Sequence, residues 1–401
     1  MNKVVDQAVI LAGGLGTRLK PFTDEHPKPM FKINNRPFLD YLIDQIRDFG
    51  ISEVILLLGY KSQEIMEYYG NGDGLEISIR YSVTPVEFGT GDRLLAAREV
   101  LKDTFLLLYC DNYCPIDFDR LSSEFREKSA DIQLSAYSNK DNYTRNNLFV
   151  DDNGTILTYD KTRQSDNLNC VDIGYAIIKK TTLNIIKDCS TPINFEKEVY
   201  PVHVAQKSIY ATVTEHRYYS IGSWDRIELT KEFFSDNKTV FLDRDGTINV
   251  RPPKACYVEK PEDFIWLDGA KKAIGKLKDK GYRVILLSNQ PGIARGNLSD
   301  EMLSKIHQKM QKELKEETGY EIDDIFYCPH NWDEGCDCRK PKPGMFYQAQ
   351  KKYSLNLRNC YMIGDDDRDI EAGNAAGCKC FQVTEEYSFF DIANKIIQGD
   401  M

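Results

Sequence analysis

Val240-Phe241-Leu242-Asp243-Arg244-Asp245-Gly246-Thr247 runs three apolar residues into two aspartates two residues apart. At the carboxyl end of a buried strand, the period-two alternation of side chains aims both carboxylates at one mouth of the sheet. A single Asp-x-Asp reads as a solvated turn. Here two further apolar runs end the same way, in Leu286-Leu287-Ser288-Asn289-Gln290 and Met362-Ile363-Gly364-Asp365-Asp366-Asp367. Between them lie helical patterns over 270–280, stopped by Gly281, and over 299–318, where Ser299 is placed as N-cap ahead of Asp300 and Glu301. Strand and helix in alternation, with polar strand ends, predict a doubly wound α/β layer with a site along one edge.

Upstream the same alternation starts afresh. Strands are expected at 8–11, 54–58 and 104–109. An amphipathic helix over 36–49 presents Phe38, Leu42, Ile46 and Phe49 on one face and stops at Gly50. The polar Ser235-Asp236-Asn237-Lys238 separates the two series, so the chain is expected to divide into domains 1–237 and 238–401. A length of 401 residues suits two cores better than one. Hydrophobic residues at 41% and charged residues at 28% exclude a disordered chain. The longest apolar runs are strand-length, against the ~20 residues of a spanning helix. Residues 1–12 are too short and too interrupted for a signal peptide. With 52 basic against 62 acidic residues the net charge is −10, and no stretch gathers Lys and Arg into a nucleic-acid footprint. Eleven cysteines without a secretory signal predict reduced thiols, a metal site and a cytoplasmic protein, with neither nucleic acid nor membrane as partner.

The first strand runs into Leu11-Ala12-Gly13-Gly14-Leu15-Gly16-Thr17-Arg18, followed by Pro27-Lys28-Pro29-Met30. Glycines there admit close approach of a ligand, and successive free N–H groups form an anion nest. The pattern is neither a Walker loop nor GxGxxG. Arg18 and Lys28 beside such a nest suit a triphosphate whose pyrophosphate must depart with charge developing on it.

Together with Arg36-Pro37-Phe38-Leu39 and Phe88-Gly89-Thr90-Gly91, these stretches resemble the sugar-1-phosphate nucleotidyltransferases over residues 6–232. Leu58-Gly59-Tyr60-Lys61 and Tyr68-Tyr69-Gly70-Asn71-Gly72 are similar to the heptose-1-phosphate guanylyltransferase branch. The resemblance implies a Rossmann-like, glycosyltransferase-A-like sheet. It implies nucleotide binding by Leu11, Ala12, Gly13, Gly14, Gly16, Thr17, Arg18 and Gly89. It makes Arg18 and Lys28 catalytic phosphate clamps, Asp111 a Mg²⁺ ligand and Lys161 the sugar-phosphate cation. The chain departs from the pattern in three places: Cys110 precedes Asp111 where glycine is usual, Ser220 stands where a second metal carboxylate is expected, and Asp92-Arg93 replace small residues. A hydroxyl is a poorer Mg²⁺ ligand than a carboxylate, so the metal site is either built differently or weakened. Asp225 is out of register to substitute. Thr84 stands where an acidic residue is usual near the base, which leaves the base open.

The three strand-end motifs of the second series resemble the haloacid dehalogenase phosphatases over about residues 238–390. That resemblance implies Asp243 as nucleophile and Asp245 as acid and base. Mg²⁺ would be held by Asp243, the Asp245 carbonyl and Asp365, with support from Asp369. Ser288, Asn289, Arg339 and Lys340 would hold phosphate and substrate. Between the motifs, Cys328, His330, Cys336 and Cys338 bring three thiolates and an imidazole into eleven residues, which suits a closed tetrahedral Zn²⁺ pinning the loop that carries Arg339 and Lys340. This loop is similar to those of heptose 1,7-bisphosphate phosphatases and histidinol-phosphatases. His26, His203, His216 and His307 have no sequence partners and read as surface or packing residues.

The two resemblances imply one bifunctional enzyme acting on a nucleoside triphosphate and a phosphorylated sugar. It would remove the 7-phosphate of heptose 1,7-bisphosphate and join the 1-phosphate product to a nucleotide, GMP from GTP. Two alternatives stay open: the same chemistries on another sugar or polyol phosphate with CTP, and a phosphatase whose N-terminal domain only binds a nucleotide sugar.

Overall fold

The computed structural model describes residues 5–186, 192–235, 238–253 and 256–399. The chain forms two compact units, Met1–Lys231 and Glu232–Met401. The boundary expected at residue 237 lies outside the described residues.

The first unit is built on seven strands: β1 (Gln7–Leu11), β2 (Glu53–Leu58), β3 (Ser78–Val83), β4 (Thr104–Tyr109), β5 (Ile132–Tyr137), β6 (Val171–Lys179) and β7 (Ile209–Thr214). Their order across the sheet is β7-β5-β6-β4-β1-β2-β3. All neighbours are parallel except β6, which runs antiparallel to both β4 and β5. β1 pairs with β2 on one side and β4 on the other, so it is central and every one of its side chains is buried. That is why Gln7-Ala8-Val9-Ile10-Leu11 is continuous rather than alternating. Val9, Leu11, Ile55, Leu57, Phe105 and Leu107 share one core cluster.

The helices in this unit include α1 (Phe38–Asp48), α2 (Ser62–Tyr69), α3 (Thr90–Ala96), α4 (Phe118–Glu127) and α5 (Phe195–Ala205). Helix α1 starts two residues later than its periodicity predicts. Arg36 and Pro37 instead pair antiparallel with Lys32 and Ile33, and Pro37 is the N-cap.

The second unit has a five-stranded, wholly parallel sheet: β8 (Thr239–Leu242), β9 (Arg283–Asn289), β10 (Asp324–Cys328), β11 (Tyr361–Gly364) and β12 (Lys379–Gln382), in the order β10-β9-β8-β11-β12. Its helices include α6 (Ala270–Asp279), α7 (Asp300–Thr318), α8 (Gly344–Tyr353), α9 (Asp367–Ala376) and α10 (Phe389–Gln398). Alternation along β8 divides the core. Val240 and Leu242 pack with residues of α6, α7 and α10, while Phe241 packs on the opposite face with Met345, Phe346 and Ala372. Each such buried side chain contributes ~1.5–3 kcal/mol. Ser299 caps α7 through the Met302 N–H, as expected. Among the described residues, no helix is long and apolar enough to cross a membrane.

Candidate active sites

At the head of β1 the chain turns through Gly13–Gly16 into a short 3₁₀ turn at Thr17–Leu19. Gly16 is in the left-handed region at φ 63°, and a Cβ there would lie 2.9 Å from the Lys28 Cβ. Only glycine lets the turn pass so close to the Lys28 segment. A cavity of about 420 Å³ opens over this turn. It is lined by Leu11, Ala12, Gly13, Gly14, Gly16, Thr17, Arg18 and Gly89, and by Lys28 and Asp111. The whole expected nucleotide set therefore surrounds one space. Lys28 Nζ lies 2.5 Å from Asp111 Oδ2, an ion pair at the end of β4.

Lys161 does not line that cavity. Its Nζ donates to Asn194 Oδ1 at 3.0 Å and Glu196 Oε2 at 3.1 Å, and Asn194 is the residue of this group that reaches the cavity wall. Ser220 is placed where the sequence pattern expects a carboxylate to matter. Tyr219–Ser220 pairs antiparallel with Asn112–Tyr113, and the Ile221 N–H donates to the Asp111 carbonyl at 3.0 Å. The Ser220 hydroxyl accepts from the Gly222 N–H at 2.8 Å. Asp225 hydrogen-bonds to Ser223 at the start of the following helix. Among the described residues, Asp111 belongs to no group of three metal-ligating side chains.

In the second unit, Asp243 follows β8 and its N–H donates to the Ile363 carbonyl of β11 at 2.9 Å. Lys340 reaches it from the loop before α8: Nζ lies 2.6 Å from Asp243 and 2.6 Å from Asp369, and donates to the Leu287 carbonyl at 2.7 Å. Burial works against that ammonium, but the two carboxylates outweigh it and raise its pKa. Burial in turn pushes the Asp243 carboxyl up to about 7, against the pull of Lys340. Asp243, Asp365 and Asp369 bring a carboxylate oxygen each within 4.8 Å of one another. Asp365 Oδ1 is buried without a partner, and burial raises this carboxyl to about 6. Clustered hard oxygens, one of them orphaned, are the donor set of a Mg²⁺ site. Gly246, at φ 100°, leaves room for it: a Cβ there would meet Asp365 Oδ2 at 2.0 Å.

Asp245 faces a different set of partners. Arg244 binds it through Nε at 3.1 Å and Nη2 at 2.8 Å, and Asn249 and Gln290 donate to it at 2.9 and 3.2 Å. Burial favours its neutral form, yet Arg244 and these donors win and hold the pKa below the ordinary carboxylate value. Ser288 Oγ accepts from Gln290 at 2.7 Å. Asn289 is engaged with the main chain of Lys340 in both directions, at 3.0 and 3.1 Å. It fixes the lysine's loop while still lining the cavity of about 650 Å³ above the carboxylates.

Cys328, His330, Cys336 and Cys338 converge. Cys336 Sγ is 3.6 Å from both Cys328 Sγ and Cys338 Sγ, and His330 Nδ1 is 3.6 Å from Cys328 and 3.3 Å from Cys338. A tetrahedron with metal–sulfur bonds of about 2.3 Å has edges of roughly 3.8 Å, so four donors at this spacing fit Zn²⁺. Arg339 donates to the His330 carbonyl at 3.2 Å, which ties it to the same loop.

Residues 7–159 match the Nucleotidyl transferase family model and residues 337–389 match the HAD-hydrolase-like one. The chain is 43% identical over 148 residues to the D-glycero-beta-D-manno-heptose-1,7-bisphosphate 7-phosphatase of Haemophilus ducreyi, covering 35% of this chain and 80% of that protein. The chain belongs to the heptose-1,7-bisphosphate 7-phosphatase family. Photorhabdus laumondii has a further member, described as a D-glycero-alpha-D-manno-heptose-1,7-bisphosphate 7-phosphatase, 42% identical over 154 residues and covered to 82% of its length by 36% of this chain. A solved structure from Bacillus anthracis, described as a glucose-1-phosphate thymidylyltransferase, aligns over 56% of this chain and 93% of its own, with a TM-score of 0.50 at 15% identity, which shows a shared fold. The chain is thus an enzyme with a nucleotidyltransferase domain at its N-terminus and a phosphatase domain at its C-terminus.

Several residues of these sites escape sequence reasoning. Arg251, Arg295 and Arg368 line the phosphatase cavity with Arg339 and Lys340. Arg251 binds Asp365 at 3.2 Å and Asp366 at 2.7 Å. Arg251 and Arg368 lie in no stretch that sequence reasoning singles out, whereas Arg295 belongs to the Asn289–Gly296 stretch that continues the second strand-end motif. Glu196 and Asn194 are equally silent, although Asn194 caps α5 and an Asn just before a helical pattern is a readable sign.

Proposed function

We propose that the chain carries two consecutive steps of nucleotide-sugar synthesis: hydrolysis of the 7-phosphate of D-glycero-D-manno-heptose 1,7-bisphosphate, then transfer of GMP from GTP to the remaining 1-phosphate with release of pyrophosphate. The observation that carries this reading is the combination on one chain of a unit 43% identical to a heptose-bisphosphate 7-phosphatase with a glycine turn flanked by Arg18 and Lys28 over a separate cavity. The product of the first chemistry is the substrate type of the second.

In the phosphatase, an Asp243 oxygen attacks the 7-phosphorus and the phosphorus–O7 bond breaks, leaving a phosphoryl group on Asp243 and O7 on the sugar. Asp245 delivers the proton to O7 and then takes one from the water that cleaves the acyl phosphate. Arg244 supports the second task, because it keeps Asp245 in the carboxylate form that accepts a proton. Lys340 neutralises Asp243 and Asp369 as the dianionic phosphate arrives. Mg²⁺, held by Asp243, Asp365 and the Asp245 carbonyl, would supply charge neutralisation at the phosphoryl oxygens. Zn²⁺ on Cys328, His330, Cys336 and Cys338 would be structural, holding the loop of Arg339 and Lys340 in place. In the transferase, the glycine turn holds the triphosphate and Arg18 and Lys28 stabilise the departing pyrophosphate; Asp111 would hold Mg²⁺, and Lys161, held by Asn194 beside the cavity rather than in its wall, orients the sugar phosphate.

The test supplies heptose 1,7-bisphosphate as each anomer, Mg²⁺ and each nucleoside triphosphate in turn, and resolves the products. GDP-heptose with pyrophosphate and inorganic phosphate is the expected result. CDP-heptose would keep both chemistries and replace the base. Phosphate release alone with every nucleotide would overturn the reading of the N-terminal cavity as a working transferase.

A further inference from the structure

Asp92 and Arg93 depart from the pattern of small residues that the nucleotidyltransferase resemblance calls for, yet both are deeply engaged. Arg93 is 4% exposed. Its Nη1 donates to the Leu58 carbonyl at 2.9 Å and to the Thr84 hydroxyl, and its Nη2 to the carbonyls of Gly13 at 3.1 Å and Val86 at 3.2 Å. These acceptors belong to three separate segments: the glycine turn after β1, the end of β2, and the loop after β3. The guanidinium lies against Gly13 and Gly59 so closely that a Cβ at either would come within 2.5 or 2.7 Å of it. None of its four acceptors is a carboxylate. Asp92 and Glu87 act on the guanidinium only through space, and it lines the cavity over the glycine turn, where its positive charge favours an anion.

Asp92 works in the opposite direction along the chain. Its carboxylate accepts from the Gly89 N–H at 2.8 Å and from the Ile193 N–H at 2.8 Å. The Gly91 N–H donates to the Ile193 carbonyl at 2.9 Å, and the Phe195 N–H to the Thr90 hydroxyl at 2.8 Å. A Cβ on Gly89 would lie 2.1 Å from the Ile193 carbonyl oxygen, so Gly-Thr-Gly is small in order to seat this segment. The same segment carries Asn194 and Glu196, the partners of Lys161. One dipeptide thus sits in a continuous line of hydrogen bonds from the glycine turn to Lys161.

We infer that Asp92 and Arg93 are the positioning pair of the nucleotidyl-transfer site, Arg93 fixing the walls around the nucleoside triphosphate and Asp92 fixing the segment that orients the sugar-phosphate cation. This rests on the transferase reading of the cavity. The pair would bring two substrates into line, and misplacement by about 1 Å at such a site costs on the order of a hundredfold in rate.

The test uses the full chain with D-glycero-D-manno-heptose 1-phosphate and GTP or CTP, reading pyrophosphate, with phosphate release from the bisphosphate fixing the enzyme concentration and thermal unfolding checking that the first unit is folded. Arg93→Met is expected to raise KM for the nucleotide about tenfold or more while KM for the sugar phosphate moves less, and Asp92→Asn to do the reverse. Arg93→Lys keeps the charge but spans fewer acceptors, so it falls between wild type and Arg93→Met. Equal changes in both KM values for both variants, or none in either, would overturn the pairing while leaving the transferase reading intact. A wild-type chain that neither turns over nor binds any nucleotide by calorimetry would overturn that reading and this inference with it.

Discussion

Single residues decide how each site is charged. Ser220 lies beside Asp111 through the Asn112–Ser220 ribbon pair, and its hydroxyl is already taken by the Gly222 N–H. With one carboxylate and a lysine on it, the N-terminal site should bind Mg²⁺ weakly. Ser220→Asp is therefore expected to lower the Mg²⁺ concentration for half-maximal pyrophosphate release by about tenfold; an unchanged Mg²⁺ titration would show that position 220 does not reach the metal. His307 on α7 is a second case. Burial, aided by Arg244, lowers its pKa from 6.5 to about 4. The unfolded chain then takes up the proton first as pH falls, so stability is fully present above pH 6.5 and drains away between 6.5 and 4, by at most about 3 kcal/mol. Urea midpoints at pH 7 and pH 5 should differ more for wild type than for His307→Gln, and equal differences would rule out this histidine as the cause.

At the scale of elements, the loop from Cys328 to Lys340 connects the corner of three cysteines and His330 to the lysine paired with Asp243. One equivalent of zinc per chain is expected by metal analysis. Cys338→Ser should raise KM for the bisphosphate about tenfold, because Arg339 and Lys340 lose their anchor, with pyrophosphate release unchanged. A normal phosphatase KM in a zinc-free variant would make the corner dispensable. This loop and the three strand ends were legible in the sequence, since each is a local motif with a fixed spacing: β8 and β11 end where their polar residues begin, and β9 carries Ser288 and Asn289 as its last two residues. The first sheet was less so. β6 stands between β4 and β5 in reverse, and no periodicity announces the direction of a buried strand. Arg93 was visible only as an oddity, because its four acceptors come from segments as far as 80 positions away, and pairing of that kind belongs to the fold. Asn289 shows the converse: the motif named it, and the structure adds that its amide is bound to the Lys340 main chain.

For the whole molecule, the two cavities lie in different compact units and share no lining residue. Asp243→Asn should therefore abolish phosphate release, with a residual rate below about a thousandth of wild type, and leave nucleotidyl transfer from pre-made heptose 1-phosphate within about twofold. Loss of both activities would mean that the units depend on one another. The acidic balance of the chain, −10 overall, makes the placement of its cations the more telling: Arg18, Lys28 and Arg93 line one cavity, and Arg251, Arg295, Arg339, Lys340 and Arg368 the other.

The reversed strand has a consequence for taking the protein apart. β7 and β5 join the rest of the first sheet only through β6, while the family match ends at residue 159, ahead of that strand. A fragment cut to the matched residues would keep the glycine turn and Asp111 yet hold β5 with no neighbour on either side. Truncation at the edge of sequence similarity would leave an open seam of unpaired backbone through the middle of the sheet, and such a fragment should aggregate. The smallest excisable transferase must extend past β7.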